Sequence, residues 1–275
     1  MKAKIYSASG KKTGDVKLPD LFSERYRPDL IKRGFHSEES RKFQQGGAFK
    51  RAGLDASAES YGPGGGRSRV PRIKAGPRRS GRSARGHKFR SKGRWFPRAM
   101  EGALISGARG GRQAHPPKAE KDIVKKLNKK ELKKAYRSAL AATVNKEIVL
   151  ERGHKVEKID NLPIIADDKV SEMKKTSEVM DFLKKIGLED ELDRTSERKI
   201  KAGKGKRRGR KYKTPRGILL ILPNDSESSA ADNILGIDTA RANHVSLDVL
   251  APGATAGRLT IITKTALDEL KERFE

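Results

Sequence analysis

Apolar residues recur every three or four positions over residues 128–144, which is the spacing of a helix with one buried face. Asn128 and Glu131 stand at its start in the arrangement of a capping box. The predicted face consists of Leu132, Ala135, Tyr136, Ala139, Leu140, Thr143 and Val144.

Two further stretches have the same spacing. One predicts a helix over Thr176–Ile186, with Gly187 as its C-terminal stop. The other predicts a helix at the end of the chain, with Leu267, Leu270 and Phe274 on one face.

Short apolar runs between these helices are typical of buried strands. They cover residues 2–7, 148–150, 162–166, 217–222, 244–250 and 259–263. Strands that alternate with helices form a mainly parallel sheet flanked by helices. The sequence therefore predicts a single α/β domain, and it contains no internal repeat.

Residues 41–115 fit neither the strand period nor the helix period. They hold 15 of the 27 glycines of the chain. Such a segment cannot offset its ordering entropy by burying its own side chains. We predict an extended, non-globular loop, disordered or ordered by a partner, between the two parts of a globular domain at residues 1–40 and 116–275.

The charge of the chain is concentrated in two segments. The 275 residues carry 63 Lys plus Arg against 35 Asp plus Glu, giving a net charge of +28 and a pI near 10.3. Residues 41–115 hold +16 of this excess and residues 194–216 hold +11, so the remainder is nearly neutral. This distribution indicates a polyanionic partner, which from charge alone is RNA, DNA, anionic lipid or an acidic protein.

Composition excludes cysteine chemistry and gives no sign of a signal peptide or a membrane span. The chain has no Cys, which excludes disulfides, thiol nucleophiles and cysteine-based zinc sites. The N-terminal residues lack the apolar core of a signal peptide, and the longest apolar run, residues 218–222, is too short to span a bilayer. We expect a soluble, intracellular protein without a membrane partner.

The glycine-rich segments do not match nucleotide-binding motifs. Residues 203–209 come closest to a P-loop, but Arg210 follows the last glycine and no hydroxyl residue comes next. GPGGGR at residues 62–67 follows no predicted strand, so it lacks the context of a dinucleotide site. We expect no cofactor, no metal and no small-molecule substrate.

Other candidate catalytic residues have simpler interpretations. Asp167 and Asp168 end a predicted strand, where α/β enzymes often keep catalytic groups, but a turn or helix cap explains them better. The histidines lack metal-binding spacing and are interpreted as surface or RNA-stacking residues: His36, His87, His115, His154 and His244. We predict no catalytic residue and no enzyme.

Arginine, glycine and aromatic residues occur together in the first basic segment. Guanidinium groups grip phosphate and stack on bases, and glycine lets the backbone approach crowded phosphates. Phe89, Trp95 and Phe96 stand between the cations as candidate surfaces for unpaired bases. Repeated Gly and Pro exclude the long basic helix with which many proteins read DNA, so folded RNA is favoured.

Four blocks of sequence resemble one known family. They are GPGGGRSRVPRIK (62–74), ARGGRQAHPPK (108–118), AGKGKRRGRKYK (202–213) and LAPGATAGRLTIITKTALDEL (250–270). Two weaker matches are NLPIIADDKV (161–170) and RSALAAT (137–143). Together these stretches resemble the large-subunit ribosomal protein L-four family in its archaeal form, from about residue 18 onward.

The resemblance implies a cytoplasmic, structural protein of the large ribosomal subunit that binds large-subunit rRNA and neighbouring ribosomal proteins. Its loop, residues 41–115, would run inward through the rRNA and help line the nascent-peptide exit tunnel. The predicted tip is Gly64, Gly65, Gly66, Arg67, Ser68, Arg69, Val70, Pro71 and Arg72.

The basic segment at residues 194–216 would be a second rRNA contact within the globular domain. On this basis, the RNA-binding residues expected in the two segments are Arg67, Arg69, Arg72, Lys74, Arg78, Arg79, Arg82, Arg85, His87, Lys88, Arg90, Arg94, Trp95, Arg98, Arg109, Arg112, His115, Lys118, Lys201, Lys204, Lys206, Arg207, Arg208, Arg210, Lys211 and Tyr212.

Two alternatives stay open from the residues alone. A DNA-architectural protein would use the same cations, and identification of the crosslinked nucleic acid would separate it from an RNA binder. A nucleotide-dependent α/β enzyme is suggested only by the fold class and by Asp167 and Asp168, and it would need to bind a nucleotide outside the basic segments.

Overall fold

The computed structural model describes residues 1–50, 58–59, 71–73, 89–91, 94–96, 105, 112–159, 161–226 and 230–274. The chain divides into two compact units. The first comprises Met1–Phe43 and Val124–Glu275, and the second comprises Gln44–Ile123. No helix in the described ranges is long and apolar enough to cross a membrane.

Within these ranges the chain forms strands, α-helices and short 3₁₀ turns. The strands are β1 (Lys2–Tyr6), β2 (Lys12–Lys17), β3 (Ala58–Glu59), β4 (Arg72–Ile73), β5 (Phe89–Ser91), β6 (Arg94–Phe96), β7 (Ile164–Ala166), β8 (Lys199–Ile200), β9 (Tyr212–Lys213), β10 (Leu219–Leu222), β11 (Asp238–Arg241) and β12 (Thr260–Thr263). The helices are α1 (Pro28–Ser40), α2 (Lys129–Val144), α3 (Lys146–Glu151), α4 (Thr176–Ile186), α5 (Glu189–Ser196), α6 (Leu247–Leu250) and α7 (Lys264–Phe274).

The first unit is built on a six-stranded sheet in the order β11–β10–β12–β7–β1–β2. The strands from β11 to β1 are parallel to their neighbours, and β2 pairs antiparallel with β1 at the edge. Strands β7, β10 and β12 are buried throughout, as expected where helices cover both faces of a parallel sheet. The predicted α/β fold with a mainly parallel sheet is confirmed.

Hydrophobic clusters lie on both faces of this sheet. Leu219 and Ile221 of β10 belong to one cluster, and Leu220 and Leu222 to the other, since side chains alternate along a strand. Helices α1, α2, α6 and α7 supply buried residues to the first cluster, and α4 and α5 supply them to the second. The sheet therefore lies between two helical layers.

The three predicted helices are present as α2, α4 and α7. Helix α2 begins after Asn128 as predicted, but the Asn128 side chain makes no capping hydrogen bond. Helix α4 ends at Gly187, where φ is +98° and the N–H groups of Gly187 and Leu188 both donate to the Leu183 carbonyl. Residues with a Cβ avoid this left-handed conformation, so the position of Gly187 fixes the helix end.

Two of the predicted strands are wrong. Residues 148–150 lie in α3, and residues 244–250 comprise the end of a 3₁₀ turn followed by α6. A short apolar run fits one buried face of a helix as well as a strand, and tertiary packing decides between them. The apolar pattern also fails to predict α1, β2, α5 and β11. Strand β11 has the sequence DTAR and is only partly buried.

Among its described residues, the second unit has four strands of two or three residues. β3 pairs with β4 and β5 pairs with β6, both antiparallel. The sequence pattern does not specify these strands, because no periodic apolar face marks such short ladders. Elsewhere in the unit, the Ala48 N–H donates to the Pro117 carbonyl at 2.9 Å, and Lys50 pairs with Glu120. These contacts join the beginning of the second unit to its end.

A fully buried arginine connects the sheet with α6. The exposed fraction of Arg258 is 0%. Its guanidinium donates to the carbonyls of Gly217, Val249 and Ile218 at 2.8, 2.9 and 3.3 Å, and to the Asp238 carboxylate at 2.5 Å. Burial lowers the pKa of Arg258, and the Asp238 charge opposes that shift. This single side chain thus joins β11, the residues that lead into β10, and the last turn of α6.

We expect Arg258→Met to lower the free energy of unfolding by about 3 kcal/mol, because buried carbonyls and a carboxylate lose their partner. Urea unfolding followed by circular dichroism measures this. Arg216→Met is the matched control, because Arg216 pairs with the same Asp238 carboxylate from a side chain that is 60% exposed. Its expected cost is below about 1 kcal/mol. Equal losses in the two variants would contradict the role assigned to the buried arginine.

Candidate nucleic-acid interface

The second basic segment forms an antiparallel hairpin. Strands β8 and β9 pair with Ile200 opposite Tyr212. The Lys201 N–H continues the ladder by donating to the Lys211 carbonyl at 2.8 Å. Residues 198–213 are called the basic hairpin below.

Two glycines shape the loop of the basic hairpin. φ is +85° at Gly203 and +75° at Gly209, a range that residues with a Cβ avoid. Between them, Lys204–Arg207 form a 3₁₀ turn, and the Arg208 N–H donates to the Gly205 carbonyl at 3.0 Å. These glycines therefore serve to turn the chain, in agreement with the absence of a P-loop motif.

The predicted RNA-binding residues of the basic hairpin are brought together on one exposed ribbon. They are Lys201, Lys204, Lys206, Arg207, Arg208, Arg210, Lys211 and Tyr212. Among the residues that the structure describes, no carboxylate lies within ion-pair distance of any of these cations. The hairpin therefore presents positive charge that this part of the chain does not neutralise.

The base of the basic hairpin is fastened to a buried carboxylate. Arg194 donates to the two carboxylate oxygens of Glu191 at 2.7 and 2.8 Å, and to the Arg216 carbonyl at 2.9 Å. It thereby joins the residues just before the hairpin to those just after it. His154 Nδ1 lies 2.6 Å from Glu191, and neither of these two side chains is more than 1% exposed.

The protonation of this pair follows from its surroundings. Burial alone would raise the pKa of Glu191, but hydrogen bonds from Arg194 and His154 outweigh it and lower the pKa to about 2. Burial lowers the pKa of His154, although Glu191 opposes the shift. A neutral His154 that donates its Nδ1–H to an ionised Glu191 agrees with both directions.

The interpretation of His154 as a surface or RNA-stacking residue is wrong. The residue is 3% exposed, and its Nε2 is buried with no hydrogen-bond partner among the described residues. The sequence shows a histidine between Gly153 and Lys155, and it does not show that the imidazole binds a glutamate 37 positions away. Of the other histidines, His115 and His244 are exposed, His36 is partly buried, and His87 lies outside the described residues.

A second ion cluster lies at the end of the basic hairpin. Arg216 donates to Asp238 at 2.7 Å, and the same carboxylate binds the buried Arg258. The next residue, Gly217, donates its N–H to the Gly236 carbonyl at 2.8 Å. Arg194 and Arg216, which flank the hairpin, thus both bind carboxylates that lie outside it, unlike the cations farther along the ribbon.

The other predicted RNA-binding residues lie in the second unit or outside the described ranges. Arg112 is partly exposed, and His115 and Lys118 are exposed. Arg72, Arg90, Arg94 and Trp95 belong to β4, β5 and β6. Of the predicted tip, Pro71, which is buried, and Arg72 are described. Outside the described ranges are Gly64, Gly65, Gly66, Arg67, Ser68, Arg69, Val70, Lys74, Arg78, Arg79, Arg82, Arg85, His87, Lys88, Arg98 and Arg109.

The paired aspartates serve as turn and cap residues. Asp168 Oδ1 accepts the Thr265 N–H at 2.9 Å in the first turn of α7. Asp167 Oδ1 accepts the Asp168 N–H at 3.0 Å. The interpretation of these two residues as turn residues is confirmed, but the α-helix that Asp168 caps is α7 and not the one that follows it in the chain.

The chain is similar to ribosomal proteins over its whole length. The family model described as ribosomal protein L4/L1 family matches residues 16–273. Relatives named large ribosomal subunit protein uL4 occur in Methanocaldococcus jannaschii, Methanosphaera stadtmanae and Methanopyrus kandleri. They are 43%, 41% and 39% identical to the chain, and the matches cover 100% of this chain and 100%, 98% and 99% of the relatives. These organisms are archaea, as the resemblance in sequence predicts.

We expect Glu191→Gln to lower the free energy of unfolding at pH 7 by about 3 kcal/mol, since it removes the charge that Arg194 and His154 bind. The pKa of Glu191 is lowered from 4.5 to about 2, so its contribution is complete above pH 4.5 and lost as the pH falls toward 2. The difference between variant and wild type should shrink over that interval. Urea unfolding at pH 7, 5, 4 and 3 measures it.

The exposed Asp193→Asn is the control for Glu191→Gln, and its expected effect is within about 0.5 kcal/mol at every pH. A deficit of Glu191→Gln that stays constant down to pH 3 would contradict the assigned ionisation.

Proposed function

The chain belongs to the ribosomal protein L4/L1 family, and on that basis we propose that it is a structural constituent of the large ribosomal subunit that binds large-subunit rRNA. The members of this family are ribosomal proteins and not enzymes. The end-to-end match to archaeal large-subunit proteins supports the assignment to this subunit. Its partners would be rRNA and neighbouring ribosomal proteins, with no small-molecule substrate and no membrane.

The single observation that carries rRNA binding is the unneutralised charge of the basic hairpin. Its exposed Lys and Arg side chains have no carboxylate partners among the described residues. Phosphates of RNA would supply the missing negative charge, and release of their condensed counterions would drive the association. Arginine adds bidentate contacts and stacking, whereas lysine adds point charges.

The loop at residues 41–115 is proposed as the second and longer rRNA contact. Its net charge of +16, its glycines and its arginines support a chain that becomes ordered among rRNA phosphates. We propose that residues 64–72, in the GPGGGRSRVPRIK block, help line the nascent-peptide exit tunnel. This placement rests on the family to which the chain belongs.

Neutralising the basic hairpin should weaken rRNA binding and flatten its dependence on salt. The variant replaces Lys204, Lys206, Arg207, Arg208 and Arg210 with Gln. Each lost phosphate contact should reduce the slope of log affinity against log salt by up to about 0.9. Filter binding of the full chain to deproteinised large-subunit rRNA between 50 and 200 mM salt, roughly the range over which such contacts weaken, measures the slope.

The matched control for the hairpin variant removes the same charge from another surface. That surface belongs to the helical layer of α1 and α2, on the other side of the sheet from α5, the helix that precedes the hairpin. It replaces exposed residues of α1 and α2 with Gln, namely Lys32, Lys129, Lys130, Lys133 and Lys134. Its slope should stay near that of the wild type. An unchanged slope in the hairpin variant, or an equal reduction in both variants, would contradict a specific hairpin contact.

The proposed tunnel position can be tested by crosslinking, because the chain has no Cys. A single cysteine introduced by Ser68→Cys carries a photoreactive group into assembled ribosomes that hold a stalled nascent chain. We expect crosslinks to the nascent chain from this position and none from Ser9→Cys, which is exposed in the first unit. Incorporated protein that gives no crosslink from position 68 would refute the tunnel placement.

A further inference from the structure

The basic hairpin carries one apolar pair of residues that folding does not explain. Between residues 197 and 216, the only large apolar side chains are Ile200 and Tyr212. They are direct partners across β8 and β9. Ile200 is nevertheless 60% exposed and Tyr212 is 51% exposed. Two exposed apolar side chains placed together in a strongly charged ribbon indicate a surface that becomes covered by a partner.

The ladder places these two side chains on the same face of the ribbon. The hydrogen bond from the Lys201 N–H to the Lys211 carbonyl makes 201–211 the hydrogen-bonded pair. The adjacent pair of Ile200 and Tyr212 is therefore the non-hydrogen-bonded one, in which opposite side chains come closest. The two side chains are therefore neighbours on that face of the ribbon.

The electrostatic surroundings of the ring favour an anionic partner. The Lys211 ammonium lies 5.4 Å from the centroid of the Tyr212 ring. Lys199 and Lys213 form the next pair along the ladder, and the arginines of the loop follow beyond Lys201. An apolar peptide would leave these cations without counter-charges, whereas a nucleotide offers a flat base to the ring and phosphates to the cations.

We propose that Ile200 and Tyr212 form a stacking platform for one unpaired rRNA base, with the flanking phosphates bound by the cations of the basic hairpin. This inference rests on the proposed rRNA-binding function and adds the kind of nucleotide that the hairpin selects. A base inside a double helix has both faces covered, so the ligand is a bulged, looped or terminal nucleotide. The tyrosine ring supplies the stacking face, and the cations supply affinity that does not depend on sequence.

The test uses the full chain and an RNA duplex with a single bulged 2-aminopurine, whose fluorescence falls when it stacks. The fully paired duplex of the same sequence serves as the second probe. Tyr212→Leu keeps an apolar side chain but removes the ring, and it should bind the bulged probe at least about fivefold more weakly and quench it less. Tyr212→Phe keeps the ring and should behave as the wild type.

Affinity for the paired probe and the salt slope should be the same in both tyrosine variants, because no charge is lost. If Tyr212→Leu binds and quenches the bulged probe like the wild type, the platform is overturned. The rRNA contact then still stands, provided that the five-residue hairpin variant has a reduced salt slope. An unchanged slope in that variant overturns the hairpin contact and the platform together.

The same variants distinguish a base from a protein neighbour as the occupant of this surface. Sucrose-gradient sedimentation shows whether Tyr212→Leu still enters large subunits. Failure to enter, together with wild-type binding to both RNA probes, would assign Ile200 and Tyr212 to a contact with another ribosomal protein and would overturn base stacking.

Discussion

Repulsion among its own cations is the constraint that governs the basic hairpin. Eight Lys and Arg residues lie between residues 201 and 213, and no Asp or Glu stands among them. Two like charges 4 Å apart cost about 1 kcal/mol in water and more where water is excluded. A two-stranded ribbon has no core of its own to offset that cost. Its conformation therefore depends on attachment at its base and on anions that come from outside the hairpin.

The α/β body, meaning the first unit without the basic hairpin, provides that attachment through two carboxylates, each of which is bound by two side chains. Glu191 binds His154 and Arg194, and Asp238 binds Arg216 and Arg258. Taking ions such as Glu191 and Arg258 out of water is costly, so the worth of these pairs lies in fixing positions more than in adding stability. They hold the two ends of the hairpin together and leave its outer cations unpaired. Charged residues at the base of the hairpin thus pair with one another and fix the fold, whereas the outer cations of the hairpin are available to bind a partner.

Apolar patterns predict the elements with extended or uniform apolar faces, such as α4 and β10, and fail for α3 and α6, where packing chooses between helix and strand. Charge reveals the basic hairpin in the sequence. It does not reveal that Arg194 and Arg216 pair with carboxylates of the protein, because an arginine that pairs with a carboxylate looks the same in the sequence as one that faces RNA. The pairing of Ile200 with Tyr212 likewise depends on strand register, which neither composition nor spacing specifies.

Acylation of lysines, read by mass spectrometry, tests most directly whether RNA covers the basic hairpin. Free protein and intact large subunits receive the same amine-reactive reagent, with and without ribonuclease. We predict that Lys201, Lys204, Lys206 and Lys211 react in the free protein, are protected in the subunit, and regain reactivity once the RNA is digested. Equal reactivity of these lysines in free protein and intact subunits would contradict rRNA binding by the hairpin.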